Sequence, residues 1–276
     1  MSERKIKVAC VQLRCGDDVL ANVKTASELI RAARKDGAQF IATPENTGLM
    51  AADGGAKLEK TVAERDDQAL PQFCGLAEEL GAWLLIGSLA IKVSEGKTAN
   101  RSYLIGPNGR IAARYDKIHL FDVNLPSGET YRESNTVTPG SEAVVANLPW
   151  GRVGLSVCYD LRFPQLYRTL AKNGADILTV PSAFTETTGK AHWHVLLRAR
   201  AIENGCFVVA PAQGGMHANG RKTYGRSLIV GPWGDILAEA GMEPSVISAE
   251  LDLAEVVAVR ARLPSLQHDR TFDTGA

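Results

Sequence analysis

The chain has 276 residues, 45% of them hydrophobic, with 31 basic and 31 acidic side chains. That composition supplies a substantial core and excludes a disordered polymer. Zero net charge argues against nucleic acid as a main partner, because phosphate binding needs a basic surplus, and no apolar run approaches a membrane span. The opening Met1-Ser2-Glu3-Arg4-Lys5 carries no apolar signal region, so a cytoplasmic protein is expected. Cys10, Cys15, Cys74, Cys158 and Cys206 are odd in number and lack CxxC spacing. They fit a reducing compartment rather than a disulfide framework or a zinc site. His192 and His194 lie two apart in a helical stretch and face different ways; no metal and no cofactor is expected.

The first strand is predicted over about Lys7–Leu13. A helix follows over Leu20–Lys35, with Val23, Ala26, Leu29, Ile30 and Ala33 at helical spacing. Gly37 ends it as a left-handed cap. Phe40–Thr43 reads as a short strand halted by Pro44, Ala69–Leu80 as a helix, and Trp83–Leu89 as a strand. Gly106-Pro107-Asn108-Gly109 is a hairpin signal. Asp122–Pro139, with Pro126, Ser127, Gly128, Glu129 and Thr130, reads as a long functional loop. An apolar strand from Arg152 stops at Cys158, and a helix begins near Pro164, a residue suited to a first helical turn. A last helical run, Leu253–Arg262, ends at Pro264, and the tail beyond it packs on a partner or frays.

The second half repeats the punctuation of the first. Asp36-Gly37-Ala38 with its strand and Pro44 matches Asn173-Gly174-Ala175 with its strand and Pro181. Leu80-Gly81-Ala82-Trp83 matches Asn204-Gly205-Cys206-Phe207. Ile105-Gly106-Pro107-Asn108-Gly109 matches Val230-Gly231-Pro232-Trp233-Gly234. Two β-α-β-α-β-β halves related by a pseudo-twofold predict an α/β fold, a four-layer αββα sandwich formed by one domain over residues 1–276. No linker or low-complexity stretch interrupts it.

Three positions carry chemistry. Cys158 ends a strand before a helix, where nearby N–H groups and positive helix potential favour a thiolate and an oxyanion. Glu45 follows the Phe40–Thr43 strand and Pro44, and ligands in α/β sheets gather at carboxyl ends of strands. Lys117 sits among Ile118, Leu120 and Phe121 and calls for an acidic neighbour if buried. Taken singly, each has a plainer reading: a buried thiol, a loop carboxylate, an edge-strand lysine.

Together Thr-Pro-Glu-Asn at 43–46, Tyr-Asp-Lys-Ile-His-Leu-Phe at 115–121 and Ser-Val-Cys-Tyr-Asp-Leu-Arg-Phe-Pro at 156–164 resemble the nitrilase superfamily of carbon–nitrogen hydrolases, over essentially the whole chain. The resemblance implies the αββα fold and a Glu45-Lys117-Cys158 triad, with Glu133 as a second glutamate. It implies a thiol-dependent amidase working through a cysteinyl thioester, with Lys117 and the N–H of Tyr159 as oxyanion donors. Arg162 resembles the position that grips a substrate carboxylate in related amidases, and a structural salt bridge is its alternative. Phe184 and Thr185, on the turn after Pro181, and His217 are further substrate-binding candidates, with Arg221 beside His217 toward the substrate's far end.

The stretch from Ala183 to Ser227 resembles the branch of amidases acting on deaminated glutathione and 2-oxoglutaramate, and leans to the former. His194 departs from that pattern, where the family usually has Glu. The alternatives are an omega-amidase, an N-carbamoyl or other small-amide hydrolase, a nitrile hydrolase and a non-catalytic metabolite-binding relative. A dinucleotide-binding protein is disfavoured, because Leu13-Arg14-Cys15-Gly16-Asp17-Asp18 lacks GxGxxG. The expected partners are a small amide and water, no nucleic acid, no membrane, and a second copy of the chain in a homodimer or higher even oligomer contacting through the helices near Pro164 and Ala191.

Overall fold

The computed structural model describes residues 5–51, 53–125, 128–218 and 220–275. Pro126 and Ser127 of the expected loop, and Met1 to Arg4 of the opening stretch, lie outside the described residues. In chain order the strands and helices are β1 (Lys5–Gln12), α1 (Val19–Lys35), β2 (Phe40–Ala42), α2 (Gly54–Lys60), α3 (Ala69–Leu80), β3 (Trp83–Ser94), β4 (Lys97–Ile105), β5 (Ile111–Asp116), β6 (Asp122–Asn124), β7 (Thr130–Arg132), β8 (Val145–Asn147) and β9 (Arg152–Gly154). They continue as α4 (Pro164–Lys172), β10 (Ile177–Thr179), α5 (Glu186–Asn204), β11 (Phe207–Ala210), β12 (Gly214–Met216), β13 (Lys222–Tyr224), β14 (Leu228–Val230), β15 (Ile236–Glu239), β16 (Ser245–Asp252) and α6 (Ala254–Arg262).

Two six-stranded sheets share one plan. The first runs β16-β1-β2-β3-β4-β5, and the second, read from its other edge, runs β8-β9-β10-β11-β14-β15. In each, the second, third and fourth strands are mutually parallel and the flanking pairs are antiparallel. The predicted repeat is present down to hydrogen bonds. Gly106 N–H donates to Arg110 O and Gly109 N–H to Gly106 O, while Gly231 N–H donates to Asp235 O and Gly234 N–H to Gly231 O. Gly81 and Gly205 close α3 and α5 with φ of +56° each, the left-handed conformation a side chain resists.

Alternation builds the layers. Ile6, Val8 and Cys10 of β1 join Phe40, Ala42, Leu85 and Leu104 in a buried cluster with the second sheet. Ala9 and Val11, pointing the other way along the same strand, pack under Val23, Ala26, Ile30 and Ala33 of α1 and Phe73 and Leu76 of α3. Helices α4 and α5 cover the outer face of the second sheet, touching β9, β11 and β14. The result is the αββα sandwich. The halves meet most tightly at Gly87, where a Cβ would come within 2.1 Å of Thr43 O and 2.5 Å of Pro181 Cβ. The two proline-terminated strand ends therefore face each other across a residue with no side chain.

One expectation needs correction. The strand leading to Cys158 leaves its ladder at Gly154, because Leu155 N–H turns to Val144 O and Cys158 N–H to Pro181 O. A 3₁₀ turn, Cys158–Arg162, intervenes before α4. Asp53 caps α2 by accepting the Ala56 N–H.

Candidate active site

The carboxyl ends of β2 and β10, the end of β5 and the turn after β9 converge on a cleft of about 450 Å³ lined by Glu45, Lys117, Glu133, Cys158, Tyr159 and Phe184, among others. Cys158 holds φ at +51°, a backbone cost that a β-carbon-bearing residue accepts only under external constraint. The constraint is visible. Its N–H is tied to Pro181 O at 2.9 Å, and the Asp160 carboxylate, fully buried, accepts from Val157 N–H at 2.8 Å. Asp160 also accepts from the Tyr115 hydroxyl at 2.7 Å and the His119 N–H at 3.0 Å, and its Oδ1 lies 2.7 Å from His119 Nδ1. It thereby fastens the Cys158 turn to the chain on both sides of Lys117.

Glu45 is 3% exposed, and both of its carboxylate oxygens are partnered. Oε1 accepts from Lys117 Nζ at 2.9 Å and Asn100 Nδ2 at 2.9 Å, and Oε2 accepts from Ala183 N–H at 2.9 Å. The Cys158 thiol lies beside this carboxylate, close enough for the two groups to act on each other. Lys117 Nζ reaches Glu133 Oε2 at 2.8 Å, and Glu133 is itself held by Phe121 N–H at 2.7 Å and Asn100 Nδ2 at 3.2 Å. Gln213 Nε2 fixes the Glu45 carbonyl at 3.0 Å, and Asn46 takes φ of +60° just beyond it.

The electrostatics follow from burial against partners. Burial works against the charge on Glu45, but the Lys117 ammonium, the neighbouring Cys158 thiol and the Lys117 hydrogen bond outweigh it and hold the carboxyl at about 2. Burial likewise opposes the charge on Lys117, and the Glu133 and Glu45 carboxylates reverse it, keeping the ammonium well above its ordinary range. For Cys158, burial and then the adjacent Glu45 charge push the thiol up, against the pull of Lys117. The resting site therefore holds a neutral thiol, an ionised carboxylate and a full ammonium. A thiol beside a carboxylate, next to an ammonium and inside a cleft, is equipped for nucleophilic attack on a polarised carbonyl.

The expected triad residues and Glu133 are thus together. Tyr159 lines the cleft, and its N–H, in the first turn of the 3₁₀ segment, meets no acceptor among the described residues. Phe184 and Thr185 form part of the wall. Two expectations fare differently. Arg162 stands behind that wall, its guanidinium 5.5 Å from the Phe184 ring centre and 5.9 Å from that of Tyr159, with Nη2 3.3 Å from His192 Nδ1. His217 is turned inward. Its Nδ1 lies 2.8 Å from Cys15 O and its Nε2 2.7 Å from Thr223 Oγ1, so both ring nitrogens are engaged inside the fold. His194 pairs with Glu239 at 3.0 Å on the β15 side and does not line the cleft.

Sequence reasoning overlooked Asn100, Lys57 and Asp160. Thr98, Asn100 and Ser102 are all buried at a spacing of two along β4, and that run of polar residues on one strand face was a readable sign of a buried polar wall. Among the described residues no group of histidine, cysteine and acidic side chains is placed to hold a metal ion, and no helix is long and apolar enough to cross a membrane.

Residues 7–261 match the carbon–nitrogen hydrolase family model. The chain is 44% identical over 265 residues to a deaminated glutathione amidase from Synechocystis, covering 94% of this chain and 96% of that one. The NitFhit protein of C. elegans superposes with a TM-score of 0.91 at 35% identity, covering 98% of this chain and 66% of that longer one. An amidase from Nesterenkonia sp. AN1, in a glutamate-to-glutamine variant carrying the acetamide moiety of fluoroacetamide on its active-site cysteine, superposes with a TM-score of 0.82 at 27% identity, covering 96% and 94%. The chain belongs to the carbon–nitrogen hydrolase family and is an amide-hydrolysing enzyme.

Proposed function

We propose that the enzyme cleaves the side-chain amide of deaminated glutathione, releasing 2-oxoglutarate and cysteinylglycine through a thioester on Cys158. The observation that carries the reading is the convergence of Cys158, Glu45 and Lys117 on one cleft, with Glu45 paired to the Lys117 ammonium at 2.9 Å. The similarity to the amidases named above supports the choice of substrate.

In this mechanism the Cys158 sulfur attacks the amide carbon while its proton passes to Glu45. A carboxyl held at about 2 is a weak base in the resting site. The oxyanion solves this as it forms. Negative charge arriving beside Lys117 and the Tyr159 N–H draws on the ammonium that had been serving Glu45, so the carboxylate gains basicity as the proton reaches it. Protonated Glu45 then gives that proton to the departing nitrogen, the C–N bond breaks, and the thioester remains. Water enters, Glu45 takes its proton, and the acid leaves with Cys158 restored. Glu133 and Asn100 keep Lys117 and Glu45 aligned throughout. Steady-state kcat/KM on deaminated glutathione and on 2-oxoglutaramate tests the assignment. A preference of about tenfold or more for the former is expected, a factor worth about 1.4 kcal/mol; comparable values contradict it.

We further infer one domain over residues 1–276, supported by a core cluster drawing on both sheets. Cytoplasmic residence is supported by the free state of all five cysteines. Pairing into a homodimer or higher even oligomer through the α4–α5 face is supported by exposed Val195 and Ile202 on α5, alongside Ile236 and Leu237 of β15. Sedimentation at micromolar concentration that gives a sharp monomer mass overturns the pairing.

A further inference from the structure

The cleft holds four cationic side chains, Lys57, Lys117, Arg132 and Arg221, against three carboxylates, Glu45, Asp53 and Glu133. Glu45 and Glu133 are committed to Lys117, and Asp53 caps its own helix. Arg132 turns its guanidinium onto Val123 O, Tyr131 O and Asn124 Oδ1. Lys57 is half-buried, and its Nζ donates at 2.8 Å to Asn46 Oδ1, a neutral acceptor. It forms no salt bridge among the described residues. Arg221 donates to Ala183 O at 2.8 Å, with its guanidinium 5.3 Å from the Tyr131 ring centre. Burial opposes the charge on Lys57 most strongly, the Glu133 and Glu45 carboxylates support it through space, and the nearby Lys117 and Arg221 charges oppose it, leaving its pKa below the ordinary range. Lys57, whose acceptor Asn46 Oδ1 is neutral, lines the cleft together with Arg221, so an anion bound there gains a charge-assisted hydrogen bond from Lys57.

Both cations are attached to the residues that surround Glu45. Lys57 grips Asn46, its chain neighbour, and Arg221 grips Ala183, whose N–H donates to Glu45 Oε2. Glu45 is the group that hands a proton to the departing nitrogen in the mechanism above, so this wall lies on the leaving-group side. Arg162, by contrast, sits behind Phe184 and Tyr159.

We propose that Lys57 and Arg221 form a carboxylate subsite for the amine product, reading the C-terminal carboxylate of a peptide leaving group. This rests on the reading of the enzyme as a deaminated-glutathione amidase. It makes Lys57, on a helix far in sequence from every triad residue except Glu45, a specificity-determining residue that separates peptide-like leaving groups from ammonia.

The test compares deaminated glutathione with its C-terminal amide, which differs only by loss of the terminal charge, in the wild type, Lys57→Met and Lys57→Arg. A charge-assisted hydrogen bond predicts a wild-type preference for the acid of about 10- to 100-fold in kcat/KM, expressed mainly in KM. In Lys57→Met the acid-to-amide ratio falls close to one, and Lys57→Arg retains most of it. The acid-to-amide ratio is the readout, because any effect of Lys57→Met on Glu45 through Asn46 lowers the rate on both substrates alike and cancels. Equal wild-type rates on acid and amide overturn the subsite while leaving the substrate assignment standing, as does an unchanged acid-to-amide ratio in Lys57→Met. A wild-type enzyme inert toward deaminated glutathione but active on 2-oxoglutaramate overturns the substrate assignment, and the subsite with it.

Discussion

Cys158 and Cys206 lie at opposite ends of the same three parallel strands. Both are buried, both have thiols pushed up by burial, and both have a cation at hand. Arg260 Nη2 is 2.9 Å from the Cys206 sulfur, yet that sulfur also points at the carbonyls of Ala175 and Asn204, and among the described residues no carboxylate is hydrogen-bonded to it. Cys158 has Glu45 against the sulfur, a left-handed backbone that turns it toward the cleft, and open space in front. The difference teaches that a buried thiol beside a positive charge is ordinary core chemistry. A base and an opening at the carboxyl ends of the strands make it a candidate nucleophile.

The sharpest way to break the comparison is to truncate both. Cys158→Ala is expected to lower kcat by at least about 10⁴-fold, as loss of a nucleophile does, while Cys206→Ala keeps turnover and lowers stability by about 1–2 kcal/mol in urea unfolding. Loss of turnover in Cys206→Ala would erase the distinction. Next in size is Glu45→Gln, expected to cost about 10²–10⁴-fold in single-turnover acylation, with the Cys158 turn intact by structure determination. Asp160→Asn tests whether the Cys158 end depends on its carboxylate brace. About 10- to 100-fold in kcat is expected, because small misplacements of a nucleophile are costly, and an unchanged kcat would mean the backbone alone sets the turn.

The smallest effect is in stability against pH. The Glu45 carboxyl is held at about 2, below its ordinary 4.5. Its ionised form therefore supports the fold above about pH 4.5, and that support is lost as pH falls toward 2. One such group steepens the loss by up to about 1.4 kcal/mol per pH unit across that window. Urea midpoints should therefore fall more steeply between pH 4.5 and 2 in the wild type than in Glu45→Gln. Glu64, held at about 2 by Arg114, Arg101 and Tyr103 against the opposing effect of burial, keeps a residual slope in both. Parallel curves would contradict the assigned ionisation of Glu45.

Much of this was legible before any coordinates. The repeat was readable because helix caps and hairpin turns demand glycine at fixed places, and those places are marked twice in the chain. The triad positions were readable only jointly: Glu45, Lys117 and Cys158 each had a plainer reading alone, and it was their three motifs in order that carried the family resemblance. What the sequence hid was pairing at long range. Strand β16 returns from the far end of the chain to pair with β1, and nothing local to Ser245–Asp252 names that partner. The same holds for Asp160, whose partners Tyr115 and His119 lie 45 and 41 residues away along the chain, and for His217, whose ring is absorbed by Cys15 O and Thr223. A loop histidine and a cleft histidine look alike until the loop is folded.

The central claim is that Cys158, and no other thiol, carries the acyl group. Acid-quenched mass spectrometry during turnover of deaminated glutathione tests it directly, with peptide mapping to locate the modification. The account predicts a single 2-oxoglutaryl thioester on the peptide containing Cys158, absent in Cys158→Ala. Turnover with no acyl adduct on Cys158, or an adduct mapped to Cys15 or Cys206, would contradict it.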